Sequence, residues 1–123
     1  MRAQARRDTK PELALRRELW RRGLRYRVDC PPLAGMRRRA DLVFTRQRVA
    51  VFVDGCFWHR CPEHSTIPKA NRAWWTEKLD RNVARDRDTD RQLLDAGWKV
   101  VRVWEHEPTM KAADRVERAV RSA

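Results

Sequence analysis

Apolar residues recur along the chain with two different periods, and the changes of period mark its elements. Thr9-Lys10-Pro11-Glu12 has the spacing of a helix-capping box, and Leu13, Leu19 and Trp20 follow among charges up to Gly23. This pattern predicts a helix over residues 10–22. Residues 24–28 alternate apolar and basic positions, as a strand with one solvated face does, before Pro31, Pro32 and Gly35 interrupt the run. Two β-rich runs, Ala40 to Phe44 and Val49 to Val53, are joined by polar residues 45–48, which predicts a hairpin at the centre of a sheet. Residues 71–96 contain neither Gly nor Pro and carry Trp75, Leu79, Val83, Leu93 and Leu94 among charges. One long helix, or two consecutive ones, should therefore end at Gly97. Residues 98–104 alternate again as a strand, and residues 109–121 set Met110, Ala113, Val116 and Val120 at helical spacing.

The resulting order is helix, three strands, helix, strand, helix. It predicts an α/β fold with a central mixed sheet flanked by helices, a layout shared by many metal-dependent nucleases. With no repeat or low-complexity linker, residues 1–123 read as a single domain.

Charge narrows the class of partner. Lys and Arg number 29 against 17 Asp and Glu, a net charge of +12, and only five of the basic residues are lysines. Arginine's planar fork suits phosphate oxygens, although GC-rich codon usage also enriches arginine. Hydrophobic residues make up 41% of the chain and six are tryptophans, which excludes a wholly disordered basic tail. A folded domain facing nucleic acid is the expectation. No apolar run approaches the roughly 18 residues of a membrane span, and MRAQARRDTK lacks the apolar core of a signal peptide, so a cytoplasmic protein with no membrane partner is expected. Three cysteines are a poor disulfide set in that compartment, and metal ligation or burial suits them better.

Several residues carry candidate chemistry. Asp41 interrupts an apolar run, where a carboxylate costs several kcal/mol to desolvate unless it meets a metal or a cation. Asp54 closes the neighbouring run. The two acids either share a divalent cation such as Mg²⁺ or point outward and cap a turn. The segment Asp54-Gly-Cys-Phe-Trp-His-Arg-Cys-Pro-Glu-His64 is more specific, with two cysteines and two histidines in eleven positions. Cys56, Cys61 and His64 have a spacing that can wrap a tetrahedral Zn²⁺. The fourth ligand is either His106 or Cys30, and His106, just beyond a strand end, is the better placed. His59 is then free to accept a proton. Phe57, Trp58 and Trp74-Trp75 in basic surroundings suit wedging between base pairs, whereas core packing is expected for Trp20, Trp98 and Trp104.

On RDTKPE, ADLVF, AVFVDGCFWH, NRAWW, EKLDRNVARDR and GWKVVRVWE, the chain resembles the very short patch repair (Vsr-type) DNA mismatch endonucleases from about Met1 to Glu105. The resemblance implies a restriction-endonuclease-like fold, Mg²⁺-dependent nicking of one strand 5′ to the thymine of a T·G mismatch, and a structural zinc. It also implies a bacterial, nucleoid-associated protein acting as a monomer on double-stranded DNA. Carried over by position, Asp41 is the metal-binding aspartate, Val53 supplies a backbone carbonyl to the metal, His59 is the catalytic histidine and Glu12 approaches the active site. Cys56 and Cys61 are zinc cysteines, and Phe57, Trp58 and Trp75 are the aromatics beside the mismatch. Three positions depart from the family pattern: Asp54 stands in place of a histidine, the zinc loop is shortened to RCPEH, and His106 replaces a cysteine. The first change makes Asp54 a candidate metal ligand; the other two keep four N or S donors. Two alternatives stay open at this level: a sequence-specific restriction-type nickase on the same fold, and a non-catalytic zinc-stabilised DNA-binding module with no need of Asp41.

Overall fold

The computed structural model describes residues 10–55 and 69–122. Their order is α1 (Lys10–Arg21), β1 (Arg27–Cys30), β2 (Ala40–Phe44), β3 (Val49–Asp54), α2 (Arg72–Asp95), β4 (Lys99–Trp104) and α3 (Thr109–Arg121). The element types alternate as expected, and the stretch after residue 71 is one 24-residue helix. The strands form a single sheet in the order β1-β2-β3-β4, antiparallel except for the parallel pair β3–β4. The predicted hairpin supplies its two central strands. A parallel neighbour cannot be reached by a tight turn, and the long connection containing α2 makes that crossover.

Local sequence explains where two helices stop. At the end of α1, Gly23 adopts φ 87°; its N–H donates to the Trp20 carbonyl, and the Leu24 N–H donates to the Leu19 carbonyl. This is a Schellman cap, and its apolar contact is Leu24 on Leu19, both in the core. The same geometry closes α2, with Gly97 at φ 84°, Gly97 N–H to the Leu94 carbonyl and Trp98 N–H to the Leu93 carbonyl. The first cap corrects the sequence reading of residues 24–28 as a strand. Leu24 is buried as the closing residue of the helix cap, and β1 begins only at Arg27.

Each face of the sheet has its own core. Leu42, Phe44, Val49, Val51, Val101 and Val103 meet Leu15 and Leu19 of α1 and Ala112, Ala113, Val116 and Val120 of α3. Ala40, Val43, Ala50 and Phe52 meet Leu93 of α2 and Trp98. The strict two-residue alternation of β2 therefore fails between Ala40 and Leu42, which lie in opposite cores. On β1, Asp29 lies between the pairs Val28↔Leu42 and Cys30↔Ala40, level with Asp41, and has φ 49°. The ladder is irregular on both strands at the level of Asp41. Trp98 is buried as expected, but Trp20 is 53% exposed, which corrects its assignment to the core. It lies edge-on to Tyr26, and the Arg25 guanidinium covers it at 3.5 Å from the ring centroid, so a cation rather than the core shields the ring.

Candidate active site

Glu12 lies in the first turn of α1, where the helix dipole favours an acid, and is only 1% exposed. Arg16, one turn later, donates to its carboxylate. Next to this helix start, Asp41 Oδ2 accepts the Val53 backbone N–H at 2.6 Å. The Glu12 carboxyl neighbours Asp41, and its charge and hydrogen-bonding disfavour a second negative charge there. Burial pushes the Asp41 carboxyl up to about 7; the Glu12 charge and hydrogen bond and the more distant Asp54 charge add to this, and the Val53 N–H opposes it. Beside Val53 a cleft of about 250 Å³ opens between the start of α1 and the ends of β3 and β4, bordered by Lys10, Pro11, Val103 and Glu105. Val53 lines this cleft, and Asp41 is tied to it through the Val53 N–H; two neighbouring, poorly solvated carboxyls form a hard-oxygen donor set of the kind that suits a divalent cation.

Asp54 is buried and engaged from the other side of the sheet. Both its oxygens accept from Arg102 Nη1, at 3.0 and 3.1 Å. The same guanidinium reaches α2 through Nε to Asp90 Oδ1 at 2.9 Å, and it lies over the Phe52 ring at 4.3 Å. A cation shared by Asp41 and Asp54 would have to draw Asp54 away from this guanidinium.

Phe57, Trp58, His59, Cys56, Cys61 and His64 lie outside the described residues. His106 is exposed in the turn between β4 and α3. The register Asp54↔Trp104 and the Glu105 N–H bond to the Asp54 carbonyl bring Gly55 beside that turn; a Cβ on Gly55 would lie 3.9 Å from Glu105 Oε2. Gly55, the last described residue before 69, therefore lies next to the turn that carries His106. Cys30 closes β1 at the opposite sheet edge, three strand spacings or roughly 14 Å from β4. At the start of α2, Trp75 stands edge-on to Trp74 with centroids 4.7 Å apart, and Trp74 is half exposed with Lys78 Nζ 5.1 Å from its ring.

Arg16 and Arg102 were not singled out from sequence. Signals for both exist: Arg16 is i+4 from Glu12, and the β4 alternation that buries Val101 and Val103 against α1 and α3 turns Arg102 toward α2. Neither signal says which arginine meets an acid of the site.

The family described as DNA mismatch endonuclease Vsr matches residues 1–64. The type II nicking enzyme V.NaeI of Lentzea aerocolonigenes is 49% identical over 118 residues, spanning 94% of this chain and 71% of that protein. The type II nicking enzyme V.NmeDIP of Neisseria meningitidis serogroup C is 40% identical over 118 residues, spanning 92% and 78%. The DNA mismatch endonuclease Vsr of Escherichia coli is 40% identical over 108 residues, spanning 85% and 66%. These names set aside the non-catalytic DNA-binding module. The chain belongs to the Vsr family of DNA mismatch endonucleases and is a DNA endonuclease.

Proposed function

We propose that the protein nicks one strand of double-stranded DNA on the 5′ side of the thymine in a T·G mismatch, with Mg²⁺ as cofactor. The observation that carries this reading is the buried Asp41 carboxyl, neighboured by Glu12 and bonded to the N–H of Val53, which lines the cleft, in a chain whose relatives include a mismatch endonuclease. Asp41 and the Val53 carbonyl are the ligands of choice for the cation, and Glu12 holds Asp41 in place. A Mg²⁺ held by these two ligands would supply Lewis-acid neutralisation of the scissile phosphate. His59 orients or deprotonates the attacking water. Cys56, Cys61, His64 and His106 hold a structural Zn²⁺ that fixes the segment presenting Phe57, Trp58 and His59; the register of β3 and β4 supports the last ligand. Phe57, Trp58 and Trp75 wedge beside the mispair, whose weaker stacking lowers the cost of entry. On this reading the enzyme works as a monomer at the nucleoid of a bacterial cytoplasm; among the described residues no helix is long and apolar enough to cross a membrane.

The names of several relatives favour a second reading, nicking of a particular sequence in fully paired DNA. Strand-specific nicking of labelled duplexes that differ only in one T·G pair, with and without Mg²⁺, separates the two. Cleavage of the T·G duplex alone is expected. Equal cleavage of the matched duplex supports the second reading, and cleavage undiminished by chelation removes Mg²⁺ from the mechanism.

A further inference from the structure

Residues 52 to 54 are held from both sides of the sheet. Val53 faces the cleft and donates its N–H to Asp41. Its two neighbours point the other way, and one side chain holds both. Arg102 is the direct cross-strand partner of Phe52 in the parallel ladder, its guanidinium covers the Phe52 ring, and its Nη1 binds both oxygens of Asp54. The rest of the fork runs to α2, to the Asp90 carboxylate and to the Asp86 carbonyl at 3.4 Å. At its base, the Arg102 carbonyl accepts from Arg115 of α3 at 2.7 Å. The side chain is 21% exposed, so little water competes for these bonds.

We propose that Arg102 is a positioning residue for the nicking reaction: by gripping Phe52 and Asp54 from behind the sheet it fixes the Val53 peptide against Asp41. It touches neither substrate nor the reacting atoms. A displacement of residues 52–54 by about 1 Å lengthens a 2.6 Å hydrogen bond beyond useful range, and misplacements of that size cost enzymes roughly a hundredfold in rate. Lysine keeps the charge but has a single ammonium, so it cannot bridge Asp54 and Asp90 while lying flat on Phe52.

This inference rests on the Asp41 site proposed above, and the test separates the two. Arg102→Lys should slow single-turnover nicking about ten- to hundredfold while duplex affinity stays within about twofold. The Mg²⁺ concentration for half-maximal rate should rise about tenfold, as for other residues that support metal ligands indirectly. Amide exchange should accelerate at Val53 more than at Val51 and Val101. Asp90→Asn loosens only the α2 arm of the fork and should give a smaller loss in the same direction, which keeps the test open if the lysine variant folds poorly. Wild-type nicking that ignores Mg²⁺ defeats the underlying site. Wild-type dependence on Mg²⁺ together with unchanged rate, Mg²⁺ requirement and Val53 exchange in both variants overturns the role of Arg102.

Discussion

The Asp41 carboxyl has two predicted behaviours, one chemical and one thermodynamic. Asp41→Asn should abolish Mg²⁺-dependent nicking and leave duplex binding within a few-fold, because phosphate contacts by arginine are untouched; nicking near the wild-type rate overturns the assignment. The proton on this residue also ties stability to pH. The carboxyl titrates near 7 in the fold and at 3.8 in open water, so the folded chain binds the proton more tightly. Its contribution is therefore complete below about pH 4 and is lost as pH rises toward 7. In metal-free protein the Asn variant has nothing to lose in that window. Its Tm should gain on wild type between pH 5 and pH 8, by about 4 °C for each kcal/mol. A constant difference across that range overturns the raised titration of Asp41.

Between elements, the seam that closes α1 on α3 depends on Arg22. Its guanidinium bonds Glu18 on its own side at 2.7 Å and Asp114 and Glu117 of α3 at 2.8 and 3.0 Å, while Arg121 reaches back to the Arg22 carbonyl. Arg22→Ala should lower the urea unfolding midpoint with an unchanged m-value; an unchanged midpoint assigns the seam to its apolar contacts alone. The elements themselves were largely legible, because their periods are clean and two helices stop at glycines. Residues 24–28 misled because an apolar residue that closes a Schellman cap looks, in a string of letters, like the first residue of a strand. Trp20 misled because its cover is Arg25, five residues along the chain. Within the site, Asp41 stood out as an acid in an apolar run. Glu12 was visible only through the family resemblance, and for Arg102 the alternation of β4 gives the face but not the partners: among 29 basic residues, it does not mark the one that meets three acids across two elements.

The whole molecule carries +12, and its affinity for DNA should fall steeply with salt. Engagement of about six phosphates gives a log–log slope near −5, and a slope near zero reduces the arginine content to codon usage. Elemental analysis after removal of Mg²⁺ should find one zinc per chain, and stripping it should abolish cooperative melting, since structural zinc in small sites contributes on the order of 10 kcal/mol to folding. Normal melting of zinc-free protein overturns that site, and zinc retained in His106→Ala removes His106 from it. The parallel pairing of β3 with β4 also has a consequence for the order in which the protein becomes active. Glu12, Asp41 and Val53 all precede residue 55, yet the strand that flanks β3, the guanidinium that grips it and the helix that covers α1 come only from residue 99 onward. A chain still being translated thus carries the acids of the site without the support that aligns them. A copy that ends before residue 99 should accordingly carry Glu12, Asp41 and Val53 and yet fail to nick DNA.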